Sequence, residues 1–284
     1  MSGAASLPPL LYEETVRRAL AEDLGRAGDV TTDAIVAGSL TGEAEIVARA
    51  PGRVAGLGPA LLAFRLLDAA CTADVRADDG ADVAGGAVVA RLCGRARALL
   101  TAERTALNLL GHLSGIATAT RDAVVRLEGL TTRIACTRKT TPGLRALEKY
   151  AVRVGGGHSH RHGLDDAVLI KDNHLALGGG IGEAIRRARL AVGHLVRIEV
   201  EVDTLAQLDE ALSLGVDAVL LDNMDLETMR EAVRRARGRA LTEASGGVRP
   251  ERVRAVAETG VDLVSLGWLT HSAPALDVAL DIVG

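Results

Sequence analysis

From Arg133 onward the chain repeats one pattern, in which a short apolar run is followed by a polar tip and then by a segment with helical spacing. Six apolar runs are predicted strands, at residues 133–137, 167–171, 196–202, 217–221, 240–244 and 262–266. The predicted helices between them cover residues 143–154, 180–192, 204–214, 225–237 and 250–259. Strands that alternate with helices form parallel sheets with right-handed crossovers. The pattern therefore predicts an α/β fold built on six parallel strands.

Six strand–helix units fit either an open Rossmann-type sheet or a barrel. The first loop has no G-x-G-x-x-G sequence after a strand, which disfavours a dinucleotide-binding fold. We predict an incomplete parallel α/β barrel over residues 113–273 that carries the active site.

The first part of the chain has a different sequence pattern. Residues 10–24 have helical spacing, and residues 41–92 form short alternating runs punctuated by the turn sequences Asp79-Gly80 and Gly85-Gly86. We predict an N-terminal α/β sandwich domain over residues 1–112. A final helix at about residues 274–284 is predicted to return to it.

Composition excludes several classes of function. Only four of the 284 residues are aromatic and the formal net charge is −4, so stacking platforms and a basic surface for nucleic acid are both missing. Cys71, Cys93 and Cys136 are widely spaced and form no CxxC motif, which indicates a reducing compartment. No signal-peptide pattern and no 18-residue apolar stretch is visible. We expect a cytoplasmic protein with no nucleic-acid or membrane partner.

The polar tips of the first predicted strands are cationic. Arg138 and Lys139 follow the first strand and Lys171 follows the second, while His160 and Arg161 lie between these strands. Function in parallel α/β folds is found at the carboxyl ends of strands. Because buried like charges repel, such a cluster indicates an anionic ligand.

The tips of the later strands are acidic or glycine-rich. Glu201 and Asp222 offer carboxylate oxygens, which Mg²⁺ accepts alongside substrate phosphates. The segment Ser245-Gly246-Gly247 precedes a predicted helix and Gly267 follows the last strand, where backbone N–H groups commonly bind phosphate. We predict a site for a phosphorylated, metal-bound sugar beside a multiply charged acid.

Six motifs extend over nearly the whole chain. They are Thr101-Ala-Glu-Arg-Thr-Ala-Leu-Asn, Thr137-Arg-Lys-Thr-Thr-Pro-Gly-Leu-Arg, Lys149-Tyr-Ala-Val-Arg with Gly155-Gly-Gly and His160-Arg161, Leu169-Ile-Lys-Asp-Asn-His, Glu199-Val-Glu-Val-Asp and Leu269-Thr-His-Ser-Ala-Pro. Their combination resembles the quinolinate phosphoribosyltransferase family. The resemblance implies a type II phosphoribosyltransferase-like fold, with an α/β sandwich and an incomplete barrel. It also implies a homodimer, or a higher homo-oligomer, in which the neighbour's first domain closes each site.

The resemblance implies a reaction in NAD synthesis, in which quinolinate and phosphoribosyl pyrophosphate give nicotinate mononucleotide, pyrophosphate and CO₂ with Mg²⁺. The residues that it implies for the acid carboxylates are Arg104 (from the partner chain), Arg138, His160 and Arg161. Lys139 and Lys171 are expected between the acid and the pyrophosphate. Glu201 and Asp222 are expected at the ribose hydroxyls and the metal. The residues expected at the 5′-phosphate are Ser245, Gly246, Gly247 and Gly267.

The sequence departs from the usual family pattern at Cys136, His158, Ser159 and Trp268, which flank the expected acid pocket and phosphate loop. A paralogue that transfers phosphoribose to another aromatic acid, or does so without decarboxylation, is therefore an alternative. A non-catalytic sugar-phosphate sensor on the same barrel is a second alternative, which the presence of both Lys139 and Lys171 disfavours.

Overall fold

The computed structural model of the protein describes residues 6–283, and these divide into two compact units. One unit comprises the chain up to Arg121, Thr140–Gly156 and the segment from Trp268 onward. The other comprises Asp122–Lys139 and Gly157–Gly267.

Twelve strands occur in the described chain. They are β1 (Thr41–Ala48), β2 (Gly52–Arg53), β3 (Thr72–Val75), β4 (Asp82–Val83), β5 (Val88–Arg95), β6 (Arg133–Ala135), β7 (Val168–Ile170), β8 (Ile198–Val202), β9 (Ala218–Asp222), β10 (Leu241–Ser245), β11 (Leu263–Ser265) and β12 (Val278–Val283).

Eleven α-helices accompany the strands between residues 6 and 283, together with short 3₁₀ turns at Pro9–Leu11 and Pro250–Arg252. The helices are α1 (Glu13–Leu24), α2 (Val30–Ile35), α3 (Leu57–Leu67), α4 (Ala96–Val125), α5 (Arg145–Val154), α6 (Asp172–Gly178), α7 (Ile181–Ala191), α8 (Leu205–Ser213), α9 (Leu226–Ala236), α10 (Val253–Ala257) and α11 (Trp268–His271).

The first unit is built on an antiparallel sheet with the strand order β12-β1-β5-β3, beside the two-stranded pair β2-β4. β1 supplies buried Ala44 and Ile46, which alternate with more exposed positions as expected for a sheet covered on one face. The core contains fully buried Phe64 from α3 and Leu110 from α4. Separate α/β units with antiparallel and parallel sheets match the predicted fold class.

The C-terminal segment is a strand, so the prediction of a helix at about residues 274–284 is wrong. β12 pairs antiparallel with β1, with Ile46 opposite Leu280. The segment does return to the first unit, but as a sheet edge. A short apolar run such as Val278–Val283 does not reveal its own secondary structure, and the unpaired edge of β1 provides the hydrogen-bond partners that fix it as a strand.

The predicted domain boundary at residues 112/113 also differs from the structure. α4 is one continuous helix across that point, and the units divide near Arg121. Residues 140–156, which include α5, belong to the first unit and not to the barrel segment. Inside the first unit, Gly155 approaches α4 so closely that an added Cβ would lie 2.5 Å from Thr120 Cβ. This close packing explains the assignment of α5, which strand–helix alternation could not reveal.

The second unit contains a six-stranded parallel sheet with the order β6-β11-β10-β9-β8-β7. All six strands predicted between residues 133 and 266 are present. In the middle strands Val200, Val219 and Ala244 are fully buried, as expected for a sheet that carries helices on its outer face. The helices are capped locally: Thr204 and Gln207 form a capping box on α8, and Asp225 caps α9.

Within residues 6–283 the six-stranded sheet does not close on itself. β6 and β7 lie at its two ends and are not paired with each other among the described residues. Instead His158 pairs with β6: Cys136 N–H donates to His158 O at 3.0 Å, and His158 N–H donates to Ile134 O at 2.8 Å. This arrangement matches the predicted incomplete barrel.

None of the helices in residues 6–283 combines the length and the apolar character that a membrane crossing requires.

Candidate active site

A cavity of about 600 Å³ opens at the carboxyl ends of the parallel strands, entirely within the second unit. Strand alternation explains its lining: Glu201 on β8, Leu220 and Asp222 on β9, and Glu243 on β10 face the cavity. Their sequence neighbours Val200, Leu221 and Ala244 are buried against the helices. The cavity therefore lies at the edge of the sheet where α/β folds place their ligands.

Four cationic residues line the cavity: Arg138 and Lys139 after β6, Arg161 before β7, and Lys171 at the end of β7. Arg161 Nη1 donates to Ala167 O at 3.0 Å, which holds the guanidinium against the backbone. Burial, together with the nearby charge of Arg138, lowers the pKa of Arg161 from its ordinary value. The buried Nε atoms of Arg138 and Arg161 have no hydrogen-bond partner among residues 6–283. This cluster is suited to an anion with more than one negative charge.

His160 also lines the cavity and lies between two carboxylates. Its Nε2 atom is 3.1 Å from Glu199 Oε2 and 3.6 Å from Glu243 Oε1. Glu243 Oε1 also accepts a hydrogen bond from Ser265 Oγ at 2.5 Å. One ligand atom from each of His160, Glu199 and Glu243 lies within 4.8 Å of the others, so this group has the composition of a metal site. The same atoms, however, already take part in the hydrogen bonds described, and a purely structural network accounts for them.

Glu201 on β8 and Asp222 on β9 bring negative charge to the same cavity. Glu201 Oε2 lies 3.7 Å from Lys171 Nζ. Burial raises the pKa of Glu201 above its ordinary value, the Lys171 charge opposes this, and Asp222, Asp172 and Asp203 raise it further. A bound cation would compensate the buried Glu201 carboxylate, and carboxylate oxygens are the type of ligand that Mg²⁺ prefers.

The loop after β10 has a backbone that only glycine tolerates well. Gly246 and Gly247 have φ angles of +88° and +58°. A Cβ on Gly246 would lie 2.4 Å from Asn223 Oδ1 and 2.8 Å from Asp222 Oδ1. Asn223 itself adopts φ +51° and donates from Nδ2 to Asp222 Oδ2 at 2.6 Å. The absence of a side chain at Gly246 therefore leaves the space that the side chains of Asn223 and Asp222 occupy.

The structure brings most of the predicted site residues together in this cavity. The four residues predicted for catalysis, at the pyrophosphate, the ribose and the metal, line it: Lys139, Lys171, Glu201 and Asp222. Six of the eight residues predicted at the acid carboxylates and the 5′-phosphate also line it: Arg138, His160, Arg161, Ser245, Gly246 and Gly247. Two predicted residues do not line it. Gly267 follows β11, and Arg104 lies on α4 of the first unit with an exposed side chain 3.7 Å from Glu103.

Sequence reasoning missed Glu243 as a residue of the site. Its position two residues before Ser245 on one strand places both side chains on the same face, so strand alternation could have identified it. Asn223 also lines the cavity, but its left-handed backbone conformation has no signal in the sequence beyond the residue type.

The fold and the site define an α/β-barrel protein with a polar cavity for charged ligands at the strand ends. Family models for the C-terminal and N-terminal domains of quinolinate phosphoribosyl transferase match residues 116–281 and 29–114. The chain belongs to the quinolinate phosphoribosyl transferase family.

Known relatives are similar to this chain over nearly the full length of both proteins. A probable nicotinate-nucleotide pyrophosphorylase [carboxylating] from Bacillus subtilis is 48% identical, covering 92% of this chain and 90% of the relative. The nicotinate-nucleotide pyrophosphorylase [carboxylating] of Mycobacterium leprae is 46% identical, covering 95% of this chain and 96% of the relative. The crystal structure of NadC from Streptococcus pyogenes superposes with a TM-score of 0.94 at 40% identity, covering 99% of this chain and all of the other (100%).

Proposed function

We propose that this protein transfers phosphoribose from phosphoribosyl pyrophosphate to quinolinate with decarboxylation, giving nicotinate mononucleotide, pyrophosphate and CO₂ in NAD synthesis. One observation carries the proposal beside family membership. In a single cavity, four cations from the segments around β6 and β7 face carboxylates from β8 and β9, with a glycine loop beside them. The proposed reaction needs cations near the acid carboxylates and the pyrophosphate, and carboxylates near the ribose.

The acid is recognised through its two carboxylates. Arg138 and Arg161 present guanidinium groups, which match a carboxylate with two parallel hydrogen bonds. Burial and, after it, the charge of Arg138 lower the pKa of Arg161, and a dianion between the two guanidinium groups relieves both effects. His160 lies beside Arg161 in the same wall, where it contributes to the pocket for the acid.

The transfer step breaks the bond between the sugar C1 and the pyrophosphate oxygen and forms a bond from C1 to the ring nitrogen of quinolinate. Pyrophosphate leaves with the electron pair, and C1 becomes cationic in character. Glu201 and Asp222 stabilise positive charge near the ribose, while Lys139 and Lys171 stabilise the negative charge of the leaving pyrophosphate. Because these groups are fixed before reaction, orientation and electrostatics supply the catalysis without a nucleophilic residue.

Decarboxylation follows from the new bond. The alkylated ring nitrogen is cationic, so the adjacent ring carbon can lose CO₂ and retain the electron pair, and a proton then replaces the carboxylate. The protein's contribution is to hold the ring between Arg138 and Arg161 while this charge develops.

The 5′-phosphate of the sugar is held by backbone N–H groups of the loop Ser245–Gly247, which sits at the carboxyl end of β10. Gly267 after β11 completes this pocket in the proposal, which matches the usual location of phosphate sites at the last strands of a barrel.

Magnesium is the proposed metal. Glu201 and Asp222 are the residues that would hold it, directly or through water, and the raised pKa of Glu201 fits a site that normally compensates its carboxylates with a cation. When bound, the ion would neutralise pyrophosphate charge.

A homodimer with shared sites is the proposed assembly. Arg104 supports it because its side chain is 67% exposed, with Nη2 3.7 Å from Glu103 Oε1, and so can reach another chain. The partner's Arg104 would then add a fifth cation to the acid pocket.

The proposal is tested by incubating the purified protein with quinolinate, phosphoribosyl pyrophosphate and Mg²⁺ and following the products by mass spectrometry. Nicotinate mononucleotide, pyrophosphate and CO₂ should form in equal amounts, and none should form when either substrate is omitted. A mononucleotide of another aromatic acid, made in preference to that of quinolinate, would replace this function with that of a paralogue.

Nicotinate provides a sharper test of the acid pocket, because it lacks one of the two carboxylates. Leaving one buried charge-assisted pair unmade should cost about 2–5 kcal/mol, which corresponds to a kcat/KM roughly 30- to 5,000-fold lower than for quinolinate. Steady-state kinetics with both acids at saturating sugar phosphate measures the ratio. Comparable values for the two acids would contradict recognition of a dicarboxylate by Arg138 and Arg161.

A further inference from the structure

Glu243 is a buried carboxylate in the cavity wall to which the proposed reaction gives no part. The residue is only 3% exposed. Ser265 Oγ donates to its Oε1 atom at 2.5 Å, and His160 Nε2 lies 3.6 Å from the same oxygen. Because burying a carboxylate costs free energy unless its surroundings compensate the charge, these contacts indicate what the residue does.

The imidazole of His160 is fixed from both sides. Nε2 lies 3.1 Å from Glu199 Oε2 as well as near Glu243, and the backbone N–H of Arg161 points at Nδ1 from 2.7 Å. A backbone N–H can only donate, so Nδ1 must accept this hydrogen bond. The ring proton then lies on Nε2 and faces the two carboxylates.

We propose that Glu243, held by Ser265, is a positioning residue that acts with Glu199 on the Nε2 side of His160 and so fixes the orientation of the ring and, through Nδ1, the backbone at Arg161. The inference rests on the proposed function, in which Arg161 receives a carboxylate of quinolinate. Its consequence is that a residue without direct contact to the acid sets the affinity for the acid.

The competing explanation is that Glu243 only ties β10 to β11 through Ser265. Thr242 offers a matched control. It precedes Glu243 on β10 and is 2% exposed. Its Oγ1 atom donates a hydrogen bond at 2.7 Å to Oδ2 of Asp262, the residue before β11. Its side chain points away from the cavity. Thr242→Val therefore removes the two part-buried hydrogen bonds between Thr242 Oγ1 and Asp262 without touching His160.

The experiment compares Glu243→Gln, Ser265→Ala and Thr242→Val in the intact protein. Quinolinate affinity is measured by calorimetry, KM for phosphoribosyl pyrophosphate by steady-state kinetics, and folding by thermal denaturation. The tautomer of His160 is read from ¹⁵N shifts of histidine-labelled protein without substrates, with the His160→Gln spectrum used only to assign the signal among the seven histidines.

Wild-type protein should show His160 with the proton on Nε2 at neutral pH. Glu243→Gln should change that signal and weaken quinolinate binding about 10- to 100-fold, by analogy with the loss found when a residue that orients a metal-ligating histidine is removed. KM for phosphoribosyl pyrophosphate should change much less. Ser265→Ala should act in the same direction to a smaller extent, whereas Thr242→Val should lower only the melting temperature.

Unchanged quinolinate affinity together with an unchanged His160 signal in Glu243→Gln would overturn the proposal. The proposal would also be overturned if Glu243→Gln lost thermal stability, quinolinate affinity and phosphoribosyl pyrophosphate KM in parallel, because a purely structural variant behaves in this way. If Glu243→Gln does not fold, the quinolinate affinity and the His160 signal of Ser265→Ala test the proposal in its place. Wild-type protein that binds no quinolinate would refute the proposed function instead, and the His160 spectrum would still test the positioning role.

Discussion

At the scale of single residues, Glu201 occupies a position where function opposes stability. Burial and the neighbouring carboxylates of Asp222, Asp172 and Asp203 raise its pKa above the ordinary value of 4.5. The folded protein therefore binds the Glu201 proton more tightly than the unfolded chain does. The resulting stabilisation is complete below pH 4.5 and is lost as pH rises through the raised pKa of the folded state.

Glu201→Gln should consequently raise the melting temperature at neutral pH while lowering kcat about 100- to 1,000-fold, because the neutral amide avoids the charge penalty but cannot stabilise a cationic sugar. Thermal denaturation between pH 4 and pH 8 checks the first part, and the difference from wild type should vanish toward the acidic end. A variant that is less stable than wild type at pH 7 would show that Lys171 and bound cations outweigh the like charges.

The residues of the site were predictable to the extent that strand ends can be read from sequence. Lys139, Lys171 and Asp222 each follow an apolar run and face the cavity. Glu243 belongs to the polar end of its strand, but it was not predicted as a site residue because neither the expected chemistry nor the family motifs gave it a role. Arg104 could come only from family resemblance, since no local pattern links a helix of the first unit to a cavity in the second.

At the scale of elements, the loop after β10 depends on the shape of Gly246. Alanine there would combine an unfavourable φ of +88° with a Cβ only 2.4 Å from Asn223 Oδ1. Gly238 is a matched control, because its φ is +74° and a Cβ would meet no atom within 4 Å. The two positions share backbone strain but differ in steric conflict.

Both Gly246→Ala and Gly238→Ala should lose about 1–2 kcal/mol of unfolding free energy from the left-handed backbone. Only Gly246→Ala should also lose on the order of 100-fold in kcat/KM for phosphoribosyl pyrophosphate, because it displaces Asp222 and Asn223. Urea denaturation and steady-state kinetics separate the two effects. Equal activity in the two variants would contradict the fit between the loop and Asp222.

The helices and strands were predicted best where the sequence pattern strongly favours one type of secondary structure. The six parallel strands are apolar runs that alternate with helical segments, and this alternation is typical of a parallel α/β sheet. β12 was predicted as a helix because Val278–Val283 is too short for periodicity to decide, and its partner β1 lies more than 200 residues earlier. α5 was assigned to the barrel because chain order does not reveal that Gly155 packs tightly on α4 within the first unit.

At the scale of the whole molecule, the proposed shared site makes Arg104 and Lys139 act in different chains of one dimer. Each site would combine the barrel of one protomer with Arg104 of its partner. Arg104→Ala and Lys139→Ala homodimers should therefore each be nearly inactive, since every site lacks one cation of the acid and pyrophosphate pocket.

Mixing the two inactive variants should restore activity once subunits exchange. A dimer with one chain of each kind contains one site with neither lesion and one site with both. At equal mixing about half of the dimers are mixed and half of their sites are intact, so two-fold symmetry sets a ceiling of about one quarter of wild-type activity. A mixture of Arg104→Ala with the Arg104→Ala/Lys139→Ala double variant is the matched control and should stay inactive, because no chain in it supplies Arg104. Exchange is verified by native mass spectrometry of a mass-tagged chain. If exchange is complete and no activity returns, Arg104 acts within its own chain and the shared-site assembly is wrong.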